Sequence, residues 1–337
     1  MKHVYRSFVA ARRSGLAALM LLGSAAVLPQ AAWSQAASSQ AYPSRTVRII
    51  VPAAPGGGLD LAARILAARL PDFMGQTAVV ENRPGANMIV GTDLVAKAAP
   101  DGHTLLVVAS PALTINPVVL PDLPYNPARD FAPVSLLTSN PFALLVNNNV
   151  PANNVQELVA HLRANPGKLN HASNSASTML ISELFKALAK VDYSDINYKG
   201  GVLAAAATAA GETQVCFVDL GSATAPVRAG RVRAFAVTSA QRYKLRPELP
   251  TLAESGVPGS AIAWVVLLAP AKTPPEIIAR LNADTLKAMA LPDTVSRIEA
   301  IGSEVVASSS AEAVQALRAD AEQWAKLVSE RNIKFQR

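Results

Sequence analysis

Three stretches of this chain place small and polar residues where backbone amides could meet an anion. The first is Pro52-Ala53-Ala54-Pro55-Gly56-Gly57-Gly58-Leu59-Asp60. Its three glycines let a ligand approach the main chain closely and leave amides exposed. The helix expected after it adds a dipole that favours a carboxylate. Ala54, Pro55, Gly57 and Asp60 are the candidate contacts. The plainer reading is a flexible turn in which Asp60 only steadies the first helical turn. The second stretch is Ala109-Ser110-Pro111-Ala112, with Ser110 and Ala112 as candidates. Taken alone it reads better as a structural turn. The third runs from Ala172 to Thr178 and offers Ser173, Asn174, Ser175, Ser177 and Thr178. Plain N-capping needs only one of these. Gly200 and Gly201 end a strand and open a helix, so their amides could grip a second oxyanion. Asp219 ends another strand. It either accepts a hydrogen bond from an ammonium or hydroxyl on the ligand or caps a helix near Ser222.

Catalytic chemistry has little support. The histidines are His3, His103, His161 and His171, and none has the spacing of a metal site. There is no Gly-x-Ser-x-Gly elbow, no Walker loop and no Gly-x-Gly-x-x-Gly. Cys216 is the single cysteine and sits in a strand-like run, which suits a buried inert thiol. No cofactor, no metal and no enzymatic activity are expected.

The elements that must carry these loops alternate between strand and helix, which points to an α/β fold with mostly parallel sheets. Strands are expected at 46–51, 78–81 and 103–109, then at 195–198, 215–218 and 233–237, with a returning strand at 261–269. Helical spacing runs through Leu59, Ala62, Leu66 and Leu70 in the first series. Helices of the second series are expected near 155–164, 178–189, 202–210 and 222–229. Between Phe131 and Asn147 two apolar runs are split by Ser139-Asn140-Pro141, which reads as a crossing between domains. The expected division is 41–141 with 241–337 as one domain and 142–240 as the other. Ligands in such folds bind beyond the carboxyl ends of the strands.

Lys2, Arg6, Arg12 and Arg13 precede an apolar run from Gly15 to Leu28 and small residues around Ala32. This is the order of a secretory signal, with cleavage expected after Ser34 and a periplasmic destination. Arg12-Arg13 leaves the twin-arginine route open beside the general one. Four of the 31 basic residues and none of the 24 acidic ones lie in this leader, so its removal lowers the net charge from +7 to +3. No basic cluster interleaves with aromatics, so a nucleic-acid partner is not expected.

The ordered motifs resemble the Bug family, the extracytoplasmic solute receptors of tripartite tricarboxylate transporters. The resemblance is carried by Tyr42-Pro43-Ser44-Arg45, Gly56-Gly57-Gly58-Leu59-Asp60, Glu81-Asn82-Arg83-Pro84-Gly85-Ala86, Pro100-Asp101-Gly102, Asp130-Phe131-Ala132-Pro133, Pro166-Gly167-Lys168-Leu169-Asn170, Tyr198-Lys199-Gly200 and Leu268-Ala269-Pro270. It implies a two-domain Venus-flytrap fold with a cleft between the domains. It implies that the loop at Pro55 to Asp60 holds a ligand carboxylate, partly through ordered waters. The loops at Ser173 to Thr178 and Gly200, with Asp219, complete the pocket. Membrane transporter subunits are the expected partners, and a monomer is the expected state. The chain departs from the family pattern at Met179, where His is frequent, and at Val218-Asp219, where Phe-Asp-Asn is common. It departs again at Asn87-Met88-Ile89, which replaces a frequent Gly-Gly-Asn. A periplasmic sensor would share the same pocket, and a hydrolase is a third reading.

Overall fold

A computed structural model of the chain describes residues 42–120 and 122–333. The expected leader, 1–34, lies outside the described residues. The described residues form one compact unit.

The chain opens with β1 (Val47–Val51), α1 (Gly58–Arg69), the short α2 (Pro71–Met74), β2 (Ala78–Asn82), α3 (Ile89–Ala96) and β3 (Thr104–Ala109). Three single-turn helices follow, α4 (Pro111–Thr114), α5 (Asn116–Val119) and α6 (Pro127–Asp130). Each carries a proline in its first turn, where the missing N–H costs nothing. Next comes β4 (Phe131–Asn147), then α7 (Val155–Ala164), β5 (Asn170–Ser173), α8 (Ala176–Ala189), β6 (Ser194–Asn197), α9 (Gly201–Ala210), β7 (Val215–Asp219), α10 (Leu220–Arg228) and β8 (Val232–Val237). The chain returns through β9 (Ile262–Pro270), α11 (Pro275–Met289), α12 (Pro292–Ala300), β10 (Glu304–Val305) and α13 (Ser310–Arg331).

The strands join in the order β2-β1-β3-β9-β4-β7-β5-β6, with β8 and β10 also pairing β4. The expected split of 131–147 into two runs is replaced by one strand of 17 residues. Pro141 explains why a single strand can serve two neighbourhoods. It pairs opposite Ile262 of β9, and the next residue, Phe142, already pairs opposite Asp219 of β7. A proline has no N–H to donate, so it fits where one ladder stops and another begins. Thr238 stitches the change of partner. Its Oγ1 accepts from Phe142 N at 2.8 Å and donates to Ala261 O at 2.6 Å.

Apolar cores lie on both sides of each half. In the first half Ile49, Leu66, Leu105 and Leu267 form one core and Ile50, Leu106, Val108 and Leu268 another. In the second, Leu144, Leu158, Phe185 and Phe217 form one core and Leu145, Ala204, Cys216 and Val218 the other. The turn-rich stretch before β9 packs on the second half through Tyr243, Leu249, Leu252 and Val257. Helix α13 reaches both halves: Ala313 and Leu317 enter a first-half core, Trp324 and Leu327 a second-half core.

β5 is an element that residue pattern did not mark. Asn170-His171-Ala172-Ser173 lacks the β-branched or alternating signature of a strand. It forms because β6 and β7 pair it on both sides.

Candidate functional site

Register brings the loops of the two halves to one place. β1, β2 and β3 run parallel, and β9 lies antiparallel to both β3 and β4, so these three strands share the direction of β4. The end of β3, Ala109, is level with Val265 and hence with Thr138 of β4. β7 runs against β4, and its end, Asp219, is level with Phe142. β5 and β6 run parallel to β7. The carboxyl ends of β1–β3 and of β5–β7 therefore face each other across the middle of β4. The four residue steps from Thr138 to Phe142 correspond to about 13 Å of strand.

On the first side, Ala54, Pro55, Gly56, Gly57 and Gly58 are exposed. Gly56 has φ of +86°, a left-handed value that glycine adopts without a Cβ clash. Gly57 differs, with φ of −78° and only Ala54 O, at 3.8 Å, near the place a Cβ would take. Backbone strain at Gly57 is thus not what keeps the position small. No side chain caps α1, so its first amides stay open to an outside acceptor.

Asp60 is 1% exposed and turned inward. Its Oδ2 accepts from Gly56 N at 2.8 Å, and Arg64 Nε donates to both carboxylate oxygens at 3.0 and 2.9 Å. Asn82 Nδ2 donates to Oδ1 at 2.8 Å and to Ala53 O at 3.0 Å. Burial pushes this carboxyl up, but the hydrogen bonds from Arg64, Gly56 and Asn82 outweigh it and hold the pKa below its ordinary value. Asp60 organises the loop from beneath. Ser110 and Ala112 are both fully buried. Ser110 Oγ accepts from Trp264 N at 3.2 Å, which pins the end of β3 to β9. The structure does not bring either side chain to the exposed face of the loops.

On the second side, Ser173 is buried and its Oγ donates to Asp195 Oδ2 at 2.6 Å. Asp195 Oδ1 lies 2.6 Å from His171 Nδ1, and Phe217 N donates to His171 Nε2 at 3.0 Å. A backbone donor on Nε2 makes that nitrogen the acceptor, so Nδ1 carries the proton and donates to Asp195. Burial pushes the His171 pKa down, more strongly than Asp195 raises it. Sequence reasoning missed both His171 and Asp195 as loop supports, because their 24-residue separation gives no local signal.

Ser175 and Thr178 close a capping box at the head of α8. Thr178 Oγ1 also accepts from Asn174 N at 2.9 Å and donates to Asn174 Oδ1 at 2.8 Å. Ser173, Ser175 and Thr178 thus shape the loop, while Asn174 Nδ2 reaches out of it. A Cβ on Gly201 would stand 3.1 Å from Asn174 Nδ2, 2.9 Å from Asp219 Oδ2 and 2.5 Å from Ser222 Oγ. Loops after β5, β6 and β7 meet at that glycine. Gly200, with φ of +117°, turns the chain into it. Asp219 caps α10, accepting from Ser222 N and Ser222 Oγ, both at 2.8 Å. Of the two roles open to Asp219, the capping one is built. Ser177 is half-buried in the first turn of α8.

Cys216 is fully buried, and burial pushes its thiol up to about 12, far from a reactive thiolate. No group of three or more His, Cys, Asp or Glu among the described residues could hold a metal ion. Two surface cavities of about 490 and 510 Å³ lie elsewhere, the first beside Arg163 and Lys186, the second between α4 and α13. Neither is lined by the loops that face each other across β4.

Residues 62–333 match the model of the tripartite tricarboxylate transporter family receptor. BugT of Bordetella pertussis is 33% identical over 302 residues, covering 88% of this chain and 93% of the relative. Rpa4515 of R. palustris, solved with adipate, superposes with a TM-score of 0.73 at 30% identity, covering 87% of this chain and 99% of that one. MatC from Rhodopseudomonas palustris, with bound malate, superposes with a TM-score of 0.69 at 31% identity, covering 85% and 100%. The chain is a solute-binding receptor of the tripartite tricarboxylate transporter receptor family, to which the Bug proteins belong, and it has that family's two-domain periplasmic-binding-protein fold.

Proposed function

We propose that this protein is exported to the periplasm and there captures a small carboxylate-bearing molecule, which it delivers to the membrane subunits of a tripartite transporter. The observation that carries this reading is the meeting of two sets of strand-end loops across β4, each with a helix head that no side chain caps. The relatives solved with adipate and with malate support a carboxylate as the ligand. In this reading the amides and edges of Ala54, Pro55 and Gly57 meet one end of the ligand. Asn174, Ser177, Gly200 and Gly201 meet the other, with Asp219 shaping the wall. Asp60, Ser110, Ala112, Ser173, Ser175 and Thr178 hold the loops in place. The lobes follow the expected division, 41–141 with 241–337 and 142–240, except that the stretch from Tyr243 to Ala261 goes with the second lobe, and they hinge near Pro141-Phe142 and Ala261-Ile262. The protein acts as a monomer, carries no cofactor and performs no catalysis. Export depends on residues 1–34.

A thermal-shift panel of carboxylates, sugars and cations tests the ligand class, with X-ray scattering to follow closure. A carboxylate at about 100 times its dissociation constant adds about 2.7 kcal/mol of stability and compacts the molecule. A panel in which sugars or cations shift the melting point and no carboxylate does overturns the reading. N-terminal sequencing of the periplasmic form checks cleavage after Ser34.

A further inference from the structure

Val202 and Leu203 are 69% and 54% exposed, the highest values among the large apolar side chains of the described residues. They occupy the first turn of α9, directly after Gly200 and Gly201. That turn begins where Asn174, Asp219 and Ser222 close on Gly201. The core does not need them. The inward face of α9 is already filled by Ala204, Ala205, Ala207 and Thr208, all buried. A solvated first helical turn favours acidic or small polar residues, which complement the dipole. Here it carries valine and leucine, next to the glycine where the loops after β5, β6 and β7 meet.

Charge narrows the ligand further. Arg64 is paired with Asp60, and Arg83 with Glu81. Lys199 has no ion pair among the described residues, and Asp219 stands opposite it in sign on the same side of the cleft. Among the loop residues named above, one unpaired cation and one acid leave no positive surplus to neutralise three carboxylates.

Building on the carboxylate reading, we infer that the ligand has one or two carboxylates on a hydrocarbon body, and that Val202 and Leu203 are the specificity-determining residues that cover this body. The carboxylate is held by amides and neutral polar groups. The apolar part lies on the head of α9 and removes those two side chains from water.

Isothermal titration of the purified protein with adipate, benzoate, malate and citrate tests this, beside the double variant Val202→Thr, Leu203→Asn. Both substitutions keep side-chain size at exposed positions, and a melting curve without ligand confirms folding. Adipate or benzoate is expected to bind at least about tenfold more tightly than citrate, as for two buried methylenes. The double variant should lose about tenfold for that ligand and stay within about twofold for malate. Tightest binding of citrate overturns the inference, as does a variant that changes no affinity. Equal loss for every ligand also overturns it, because it assigns the pair to lobe closure. Binding of no carboxylate at all removes the underlying reading together with this one.

Discussion

Asp60 and Gly201 show how single residues shape the loops proposed to meet the ligand. Asp60 is a charge inside the chain, satisfied by Gly56, Arg64 and Asn82. Its pKa is lowered in the fold, so its contribution is fully present above the ordinary carboxylate value of about 4. That contribution is lost as pH falls through the lowered value. Asp60→Asn keeps the size and removes the charge that Arg64 pairs with. We expect a stability loss of about 1–3 kcal/mol in urea denaturation, together with weaker ligand binding. A variant with wild-type stability would remove Asp60 as the organiser of the loop. Gly201→Ala acts differently. The new Cβ must push aside Ser222 Oγ, Asp219 Oδ2 and Asn174 Nδ2, which are the ends of short side chains and can move. The helix itself tolerates alanine. Global stability should change by less than about 1 kcal/mol, while titration calorimetry should report an affinity loss of about tenfold or more. An unchanged affinity would place the ligand away from Gly201.

At the level of elements, the second set of loops rests on a buried polar link between three strands. His171 in β5 accepts from Phe217 in β7 and donates to Asp195 in β6, which also holds Ser173. The imidazole gives Phe217 N an acceptor one residue beyond the paired positions of β5 and β7. Lys186 further disfavours its charged form, while Glu183 and Asp195 favour it, and burial dominates. The folded pKa is below the unfolded value of about 6.5, so this contribution is complete above that pH and is lost as pH falls toward the lowered value. The urea midpoint of the wild type is therefore expected to drop between pH 7 and pH 5. His171→Leu should start about 1–3 kcal/mol lower at pH 7 and show a smaller drop. A flat wild-type profile across that range argues against the link.

The whole molecule is tied by two elements that pass between its halves, β4 and α13. β4 changes partners at Pro141, so a small rotation there disturbs few main-chain hydrogen bonds. α13 has to move with any such rotation, since Leu317 and Trp324 lie in cores of different halves. Trp324 is 2% exposed. Trp324→Ala should cost about 3–5 kcal/mol in chemical denaturation, as for a large aromatic removed from a core. A cost near 1 kcal/mol would mean that the helix end merely covers the second half. In the proposed hinged reading, the same anchoring makes the packing of α13 a limit on how far the lobes open.

Local chemistry in the sequence was enough to settle the α/β alternation, the glycine turn before α1, the serine-rich turn before α8 and the helix-capping option at Asp219. These features depend on neighbours within a few residues, and residue type carries them. The family resemblance was legible for the same reason, since its motifs are the turns themselves. Tertiary structure decided what pattern could not hold. β5 exists because two strands flank it, not because Asn170-His171-Ala172-Ser173 prefers extension. Ser110 and Ser173 resemble ligand contacts in composition, but Trp264 and Asp195 claim their hydroxyls from distant parts of the chain. The continuity of β4 through Ser139-Asn140-Pro141 was equally hidden, because it rests on Ile262 and Thr238 arriving from the far side of the sheet. Long-range pairing has no period in sequence, so the direction in which a polar side chain faces is decided only when the strands meet.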